Sequence, residues 1–249
     1  MPRHKFLNVD FGQLYPNIAS AQGFKTQNAI LNTTPYKPEV LIIGTFNPDD
    51  GNEAEFFYGR NRNYLWRIFE NFSNNNNALN GPNHGIPQIG HIFELCTKFK
   101  LSFADLITET EVELNDYSDT LLNRECNRGQ IQNNVEEIVK YICETDSIKY
   151  VYFTTKNENL RCLWQLWLNI ETLVHIERSD VEFGSILTPS GMGGVDNFNG
   201  LHRAATIARY WIWVNAIPNI HPQPFPNQNG YAHLNHQWLQ GCNVNINIY

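Results

Sequence analysis

No stretch of this 249-residue chain approaches the ~20 consecutive apolar residues that a membrane-spanning helix needs. Met1-Pro2-Arg3-His4-Lys5 is followed by Phe6-Leu7-Asn8-Val9-Asp10, which lacks the apolar core of a secretory signal. A cytoplasmic location with no membrane partner is therefore expected. Cysteine is scarce, five residues in all, and never occurs as C-x-x-C. Zinc and iron–sulfur sites usually show closely paired ligands, so no metal or cofactor is expected. Buried reduced thiols are expected instead. His233-x-x-His236 is weak as a metal pair. Basic residues are outnumbered, 18 against 25, for a net charge of −7. That excludes a chain basic throughout but leaves room for a local basic patch.

The negative charge is concentrated. Residues 101–147 hold eleven acids and three bases, a net of −8, so the other 202 residues sum to +1. The acidic stretch reads as a solvated face. Outside it, Val40-Leu41-Ile42-Ile43-Gly44 reads as a buried strand closed by glycine. Strands are also expected at 101–107, 149–155, 172–176 and 182–188. Apolar spacing predicts helices at 63–72, 89–99, 131–142, 157–168 and 198–217. Strands alternating with helices imply an α/β protein with a mostly parallel sheet. In such sheets, ligands lie beyond the C-terminal strand ends. The expected organisation is a polar, irregular extension over 1–37, an α/β domain over 38–217, and a Pro/Asn/Gln-rich tail over 218–249.

Two strand exits carry chemistry. Gly44-Thr45-Phe46-Asn47-Pro48 ends the first strand, and Leu187-Thr188-Pro189-Ser190-Gly191 follows the last. Asn47 carries an amide able to orient a water. Phe57 and Tyr58 offer flat faces for a planar ligand, or pack the loop. Arg60, Arg62 and Arg67 bring three positive charges within eight residues, as phosphate contacts or as a solvated helix start. Asn63 either caps the following helix or reads a ligand edge. Ser190 and Gly191 suit close approach to an anion. Met192 is placed to wedge into a base stack or is simply a loop residue. No lysine lies in either loop.

Phe57-Tyr58-Gly59-Arg60-Asn61-Arg62-Asn63-Tyr64-Leu65-Trp66, after the Gly44–Pro48 exit, resembles the opening motif of the uracil-DNA glycosylase superfamily. The run resembles the mismatch-specific and hypoxanthine-acting branches of that superfamily. Leu187–Gly191 resembles the superfamily's second, Pro-Ser-containing motif. The resemblance spans about residues 38–216. It implies a three-layer α/β/α fold that flips a deaminated or mismatched base from DNA and hydrolyses its N-glycosidic bond. This would be a monomeric base-excision enzyme whose partner is damaged DNA. Two departures stand out. Phe46 occupies the usual Asn/Asp position, with Asn47 one residue later, and Thr188 stands where His or Asn is common.

The chemistry asks for a positioned water and for fixed dipoles that stabilise the departing base. Asn47 is the expected water-positioner and Thr188 the partner of the leaving base. Thr45, Phe46, Phe57, Tyr58, Asn63, Ser190, Gly191 and Met192 are expected to bind the substrate, and Arg60 and Arg62 the phosphates. The alternative is a fold of this type that binds nucleic acid or a nucleotide without cleaving it.

Overall fold

Lys25-Thr26-Gln27 is a poor advertisement for a strand, yet these residues form β1 (Lys25–Gln27) and pair antiparallel with β2 (Ile30–Thr33) in the computed structural model. The structure describes residues 1–51, 54–60, 63, 65–66, 69, 88–111, 113, 117–155 and 159–185. The stretch expected to be irregular therefore contributes regular structure. Before β1 lies one helical turn, α1 (Phe11–Leu14), whose cap Asp10 accepts the Gln13 N–H at 3.2 Å. The β1–β2 turn holds Asn28 and Ala29 at φ of 51° and 56°. A two-residue hairpin of type I′ needs positive φ at both central positions. Asn-Ala lacks the glycine that usually announces such a turn. Phe6, Phe11 and Phe24 are isolated along the chain but fully buried.

The β-branched run becomes β3 (Val40–Gly44), every residue buried. The helix α2 (Ile89–Phe99) precedes β4 (Leu101–Asp105). The expected single strand at 101–107 breaks at Leu106, and β5 (Ile107–Thr110) then pairs with β6 (Ile131–Asn133) as a separate two-stranded ribbon. Between them lies α3 (Asp119–Asn127), a helix too polar to stand out in the sequence. Next come α4 (Val135–Glu144), β7 (Tyr150–Phe153), α5 (Arg161–Glu177) and β8 (Glu182–Ser185). Residues 131–133, expected inside a helix, are strand. Residues 172–176, expected as a strand on their β-branched content, belong to α5. There Leu163, Trp167, Ile170 and Val174 bury one helical face, and that tertiary burial overrides local propensity.

The main sheet has the order β1-β2-β4-β3-β7-β8. Strands β4, β3, β7 and β8 run parallel, while β1 and β2 are antiparallel. The protein is thus mixed α/β with a mostly parallel sheet. Leu41, Ile43, Ala104, Val151 and Phe153 pack with Leu122, Ile138, Ile142, Leu163, Trp167, Ile170 and Val174 from α3, α4 and α5. Burying each such Val, Leu, Ile or Phe side chain contributes about 1.5–3 kcal/mol. No described helix is long and apolar enough to cross a membrane.

The chain divides into two compact units. One comprises Met1–Glu53 and Cys96–Ser185, and the other includes Ala54–Leu95. The expected boundary at 217 and the tail from 218 lie outside the described residues, as does the helix at 198–217.

Two further expectations are corrected. Cys126 and Cys162 form a disulfide between α3 and α5, with Cα atoms 5.9 Å apart, while Cys96 and Cys143 are free thiols. A separation of 36 residues gives no hint of pairing, and only the packing of α3 on α5 brings the sulfurs together. The acidic stretch is also not wholly a solvated face. Asp105 and Glu125 are buried, the latter beneath Arg124 and Arg128 at 2.6 and 3.1 Å.

Candidate active site

Parallel strands leave their ligand crevice where neighbouring connections depart in opposite directions. Here β3 connects onward to β4 on one side, and β7 connects to β8 on the other. The carboxyl ends of β3 and β7 therefore mark the switch point. They are Gly44-Thr45-Phe46-Asn47 and Thr154-Thr155. The Thr154 N–H and hydroxyl both donate to the Ile43 carbonyl, at 3.0 and 3.2 Å. Thr154 and Thr155 are buried, and they are additions to the residues expected from sequence.

The β3 exit is pinned on two sides. The Leu106 N–H donates to Gly44 O and the Ile107 N–H to Thr45 O, each at 3.0 Å. On the other side runs the segment Pro2–Phe6. The Lys5 N–H donates to Asn47 O at 2.7 Å, and the Asp49 N–H donates to Arg3 O at 2.8 Å. The same segment holds β5, through His4 N–H to Thr108 O at 2.8 Å and Thr110 N–H to Pro2 O at 3.0 Å. Asn47 is only 8% exposed. An Asn preceding Pro is steered to extended backbone, which limits where its amide can point.

Four polar side chains meet at these exits. The Thr45 hydroxyl donates to Asp119 Oδ1 at 2.6 Å. Burial pushes the Asp119 carboxyl above the usual carboxylate range; the Thr45 bond opposes this and the negative Asp105 adds to it. His4 Nε2 and Asp105 Oδ2 are 2.6 Å apart in the buried interior. The Phe6 N–H donates to His4 Nδ1 at 3.0 Å, so Nδ1 is an acceptor and carries no proton. The proton of the neutral ring is then on Nε2, directed at Asp105. Phe46 lies half-buried between two rings, edge-on to His4 at 5.9 Å and tilted on Tyr117 at 5.5 Å.

No family model and no curated protein matches the sequence. Among solved structures, the solution NMR structure of a "putative Uracil DNA glycosylase" from Methanosarcina acetivorans aligns over 69% of this chain and 88% of its own. The two are 13% identical, with a TM-score of 0.38. Overlap that slight assigns neither a fold nor an activity.

The second compact unit holds the aromatic part of the first motif. Phe57 is 1% exposed, edge-on to Phe56 at 5.5 Å, and its carbonyl accepts the Trp66 indole N–H at 2.7 Å. Phe56 in turn packs on Phe93 at 5.1 Å. The Phe57 ring is thus in the interior of this unit rather than offering an open face. Tyr58 is half-buried at a φ of 56°. Gly59 closes the turn, because a Cβ there would sit 2.8 Å from Phe56 O. Asn63 Oδ1 accepts the Leu65 N–H at 3.0 Å, which is a capping bond at the start of a helix. Arg60 is half-buried.

Thr45, Phe46 and Asn47 therefore share one strand exit, while Phe57, Tyr58, Arg60 and Asn63 belong to the other unit. Arg62, Arg67, Thr188, Ser190, Gly191 and Met192 lie outside the described residues. With Thr154 and Thr155, His4, Asp105, Tyr117 and Asp119 are site residues that the sequence reading missed. Asp105 and Asp119 were hidden inside the acidic stretch, and His4 inside a segment read as irregular. Among the described residues there is no group of His, Cys, Asp and Glu able to hold a metal ion.

Proposed function

We propose that this chain is a monofunctional DNA glycosylase of the uracil-DNA glycosylase type, with that superfamily's three-layer α/β/α arrangement. Its substrate is a deaminated or mismatched base, uracil or hypoxanthine, flipped out of DNA for base-excision repair. The observation that carries the reading is Asn47-Pro48, buried at the exit of the central strand and at the switch point of the parallel sheet. In the reaction a water oxygen bonds to the anomeric carbon as the C–N bond breaks. The base leaves with the electron pair and is protonated. Asn47 holds the water, Thr188 hydrogen-bonds the leaving base, and Tyr58 supplies the stacking face. Thr45, Phe46, Ser190, Gly191 and Met192 bind the substrate, and Arg60 and Arg62 meet the phosphates. Asp119, a carboxyl biased toward its neutral form beside the Thr45 hydroxyl, is suited to hold a proton near the site.

A second reading is binding of nucleic acid or a nucleotide without cleavage. It is favoured by Phe46, an apolar ring packed on His4 and Tyr117 where the superfamily has Asn or Asp. The test is a panel of duplexes containing uracil, hypoxanthine, xanthine or a G·T mismatch, assayed for abasic sites. Excision from at least one is expected, and binding with no abasic product on any favours the second reading. Lys5 reaches the Asn47 loop through its backbone, so borohydride trapping belongs in the same experiment. No covalent adduct is expected. An adduct that disappears in Lys5→Ala would make the enzyme bifunctional.

A further inference from the structure

We propose that His4 is a positioning residue for the reaction. By its bond to Asp105 it locks the Pro2–Phe6 segment, and that segment sets where Asn47 stands. The inference rests on the reading of Asn47 as the water-positioner. Four features converge on it. His4 forms an antiparallel bridge with Pro48, directly after Asn47. Its neighbours bracket the same dipeptide, with the Lys5 N–H on Asn47 O at 2.7 Å and the Asp49 N–H on Arg3 O at 2.8 Å. Its ring edge meets Phe46, directly before Asn47, at 5.9 Å. Its two nitrogens have separate tasks: Nδ1 accepts the Phe6 N–H and folds the segment on itself, while Nε2 donates to the carboxylate at the end of β4. The backbone on either side of Asn47 is thus hung from a side chain, His4, whose own anchor is Asp105 at the edge of the parallel sheet. An amide that aims a water must be held to a fraction of an ångström, and misplacing a catalytic group by about 1 Å can cost a hundredfold in rate.

The two tasks can be separated by substitution. In His4→Asn, the side-chain oxygen takes the place of Nδ1 and still accepts the Phe6 N–H, but nothing reaches Asp105. In His4→Gln, the amide nitrogen takes the place of Nε2 and still donates to Asp105. The experiment is single-turnover excision and duplex affinity for both variants, with thermal unfolding measured alongside. His4→Asn should lower the excision rate about ten- to a hundredfold while duplex affinity stays near wild type, and His4→Gln should retain most of the rate. A folded His4→Asn that excises at the wild-type rate overturns the inference, as does a His4→Gln that falls equally far. If His4→Asn does not fold, Asp105→Asn weakens the same bond and should show the same separation of rate from affinity; an unchanged rate there overturns the inference. If the wild-type protein excises nothing, the functional reading fails by itself. The positioning role is then read from the Asn47 side-chain amide resonances. They should move in His4→Asn and stay in His4→Gln, and resonances unmoved in both overturn it.

Discussion

Asp119 and Glu125 lie on the same helix and are driven in opposite directions. Burial raises Asp119, and the Arg124 hydrogen bond, assisted by Arg128, lowers Glu125 despite its burial. The two carboxyls therefore leave opposite marks on stability against pH. A raised folded-state pKa means that the stability from Asp119 is fully present below the ordinary Asp value and is lost as pH rises through the folded value. Asp119→Asn should therefore gain on wild type as pH rises from below about 4 toward neutral. A lowered folded-state pKa means the reverse for Glu125. Its stability is present above the ordinary Glu value and is lost as pH falls through the folded one. Glu125→Gln should be less stable than wild type at neutral pH, and the gap should close in acid. Urea unfolding of both variants from pH 3 to 7 reads both signs, and parallel curves would refute the assignment. Neither carboxyl was legible beforehand. Eleven acids in 47 residues look like one solvated face, and only the fold selects Asp105 and Glu125 for burial and brings Asp119 against the Thr45 hydroxyl.

Helix α3 is where element-scale reasoning from sequence fell shortest. Its polar composition hid it, yet it is tied to α5 twice. Asn123 Oδ1 accepts the Cys162 and Leu163 N–H groups at 2.9 and 3.3 Å. These are donors that the first turn of α5 cannot satisfy within itself. The Cys126–Cys162 disulfide is the second tie. Closing a loop over a separation of 36 residues removes chain entropy worth about 4 kcal/mol at 25 °C. Reduction, or Cys126→Ser with Cys162→Ser, should lower unfolding stability by about 2–4 kcal/mol in guanidinium titrations. Identical curves with and without reductant would contradict the tie. Elsewhere the elements that could be read were those with an unambiguous apolar pattern. Val40–Ile43, Tyr150–Phe153 and Ile89–Phe99 appear where they were expected. Those that could not be read draw their order from distant partners: β1 and β2 from sheet pairing, and residues 172–176 from the burial of α5.

At the scale of the whole molecule, the proposed binding of DNA by an acidic chain requires a restricted basic surface. The net of −8 over residues 101–147 leaves the rest of the chain near neutral. If Arg60 and Arg62 meet phosphates, the logarithm of affinity should fall with the logarithm of salt by about 0.9 per contact. Arg60→Ala with Arg62→Ala should flatten that slope by about two, and an unchanged slope in filter binding or anisotropy would place the DNA path elsewhere. The parallel sheet and the Asn47 strand exit were legible because a buried strand closed by glycine has a strong local signature, whereas the switch point between β3 and β7 follows only from the strand order. The partners of that exit were not, since His4 and Asp105 pair across 101 residues and Asp119 reaches Thr45 across 74. The central claim is that this exit performs glycosidic hydrolysis through Asn47. Single-turnover excision by Asn47→Ala, on whichever duplex the wild-type protein cuts, tests it most directly. The expected result is a loss of about a hundredfold or more with duplex affinity nearly intact, and partial activity in Asn47→Asp. Excision by a folded Asn47→Ala at the wild-type rate would contradict the claim.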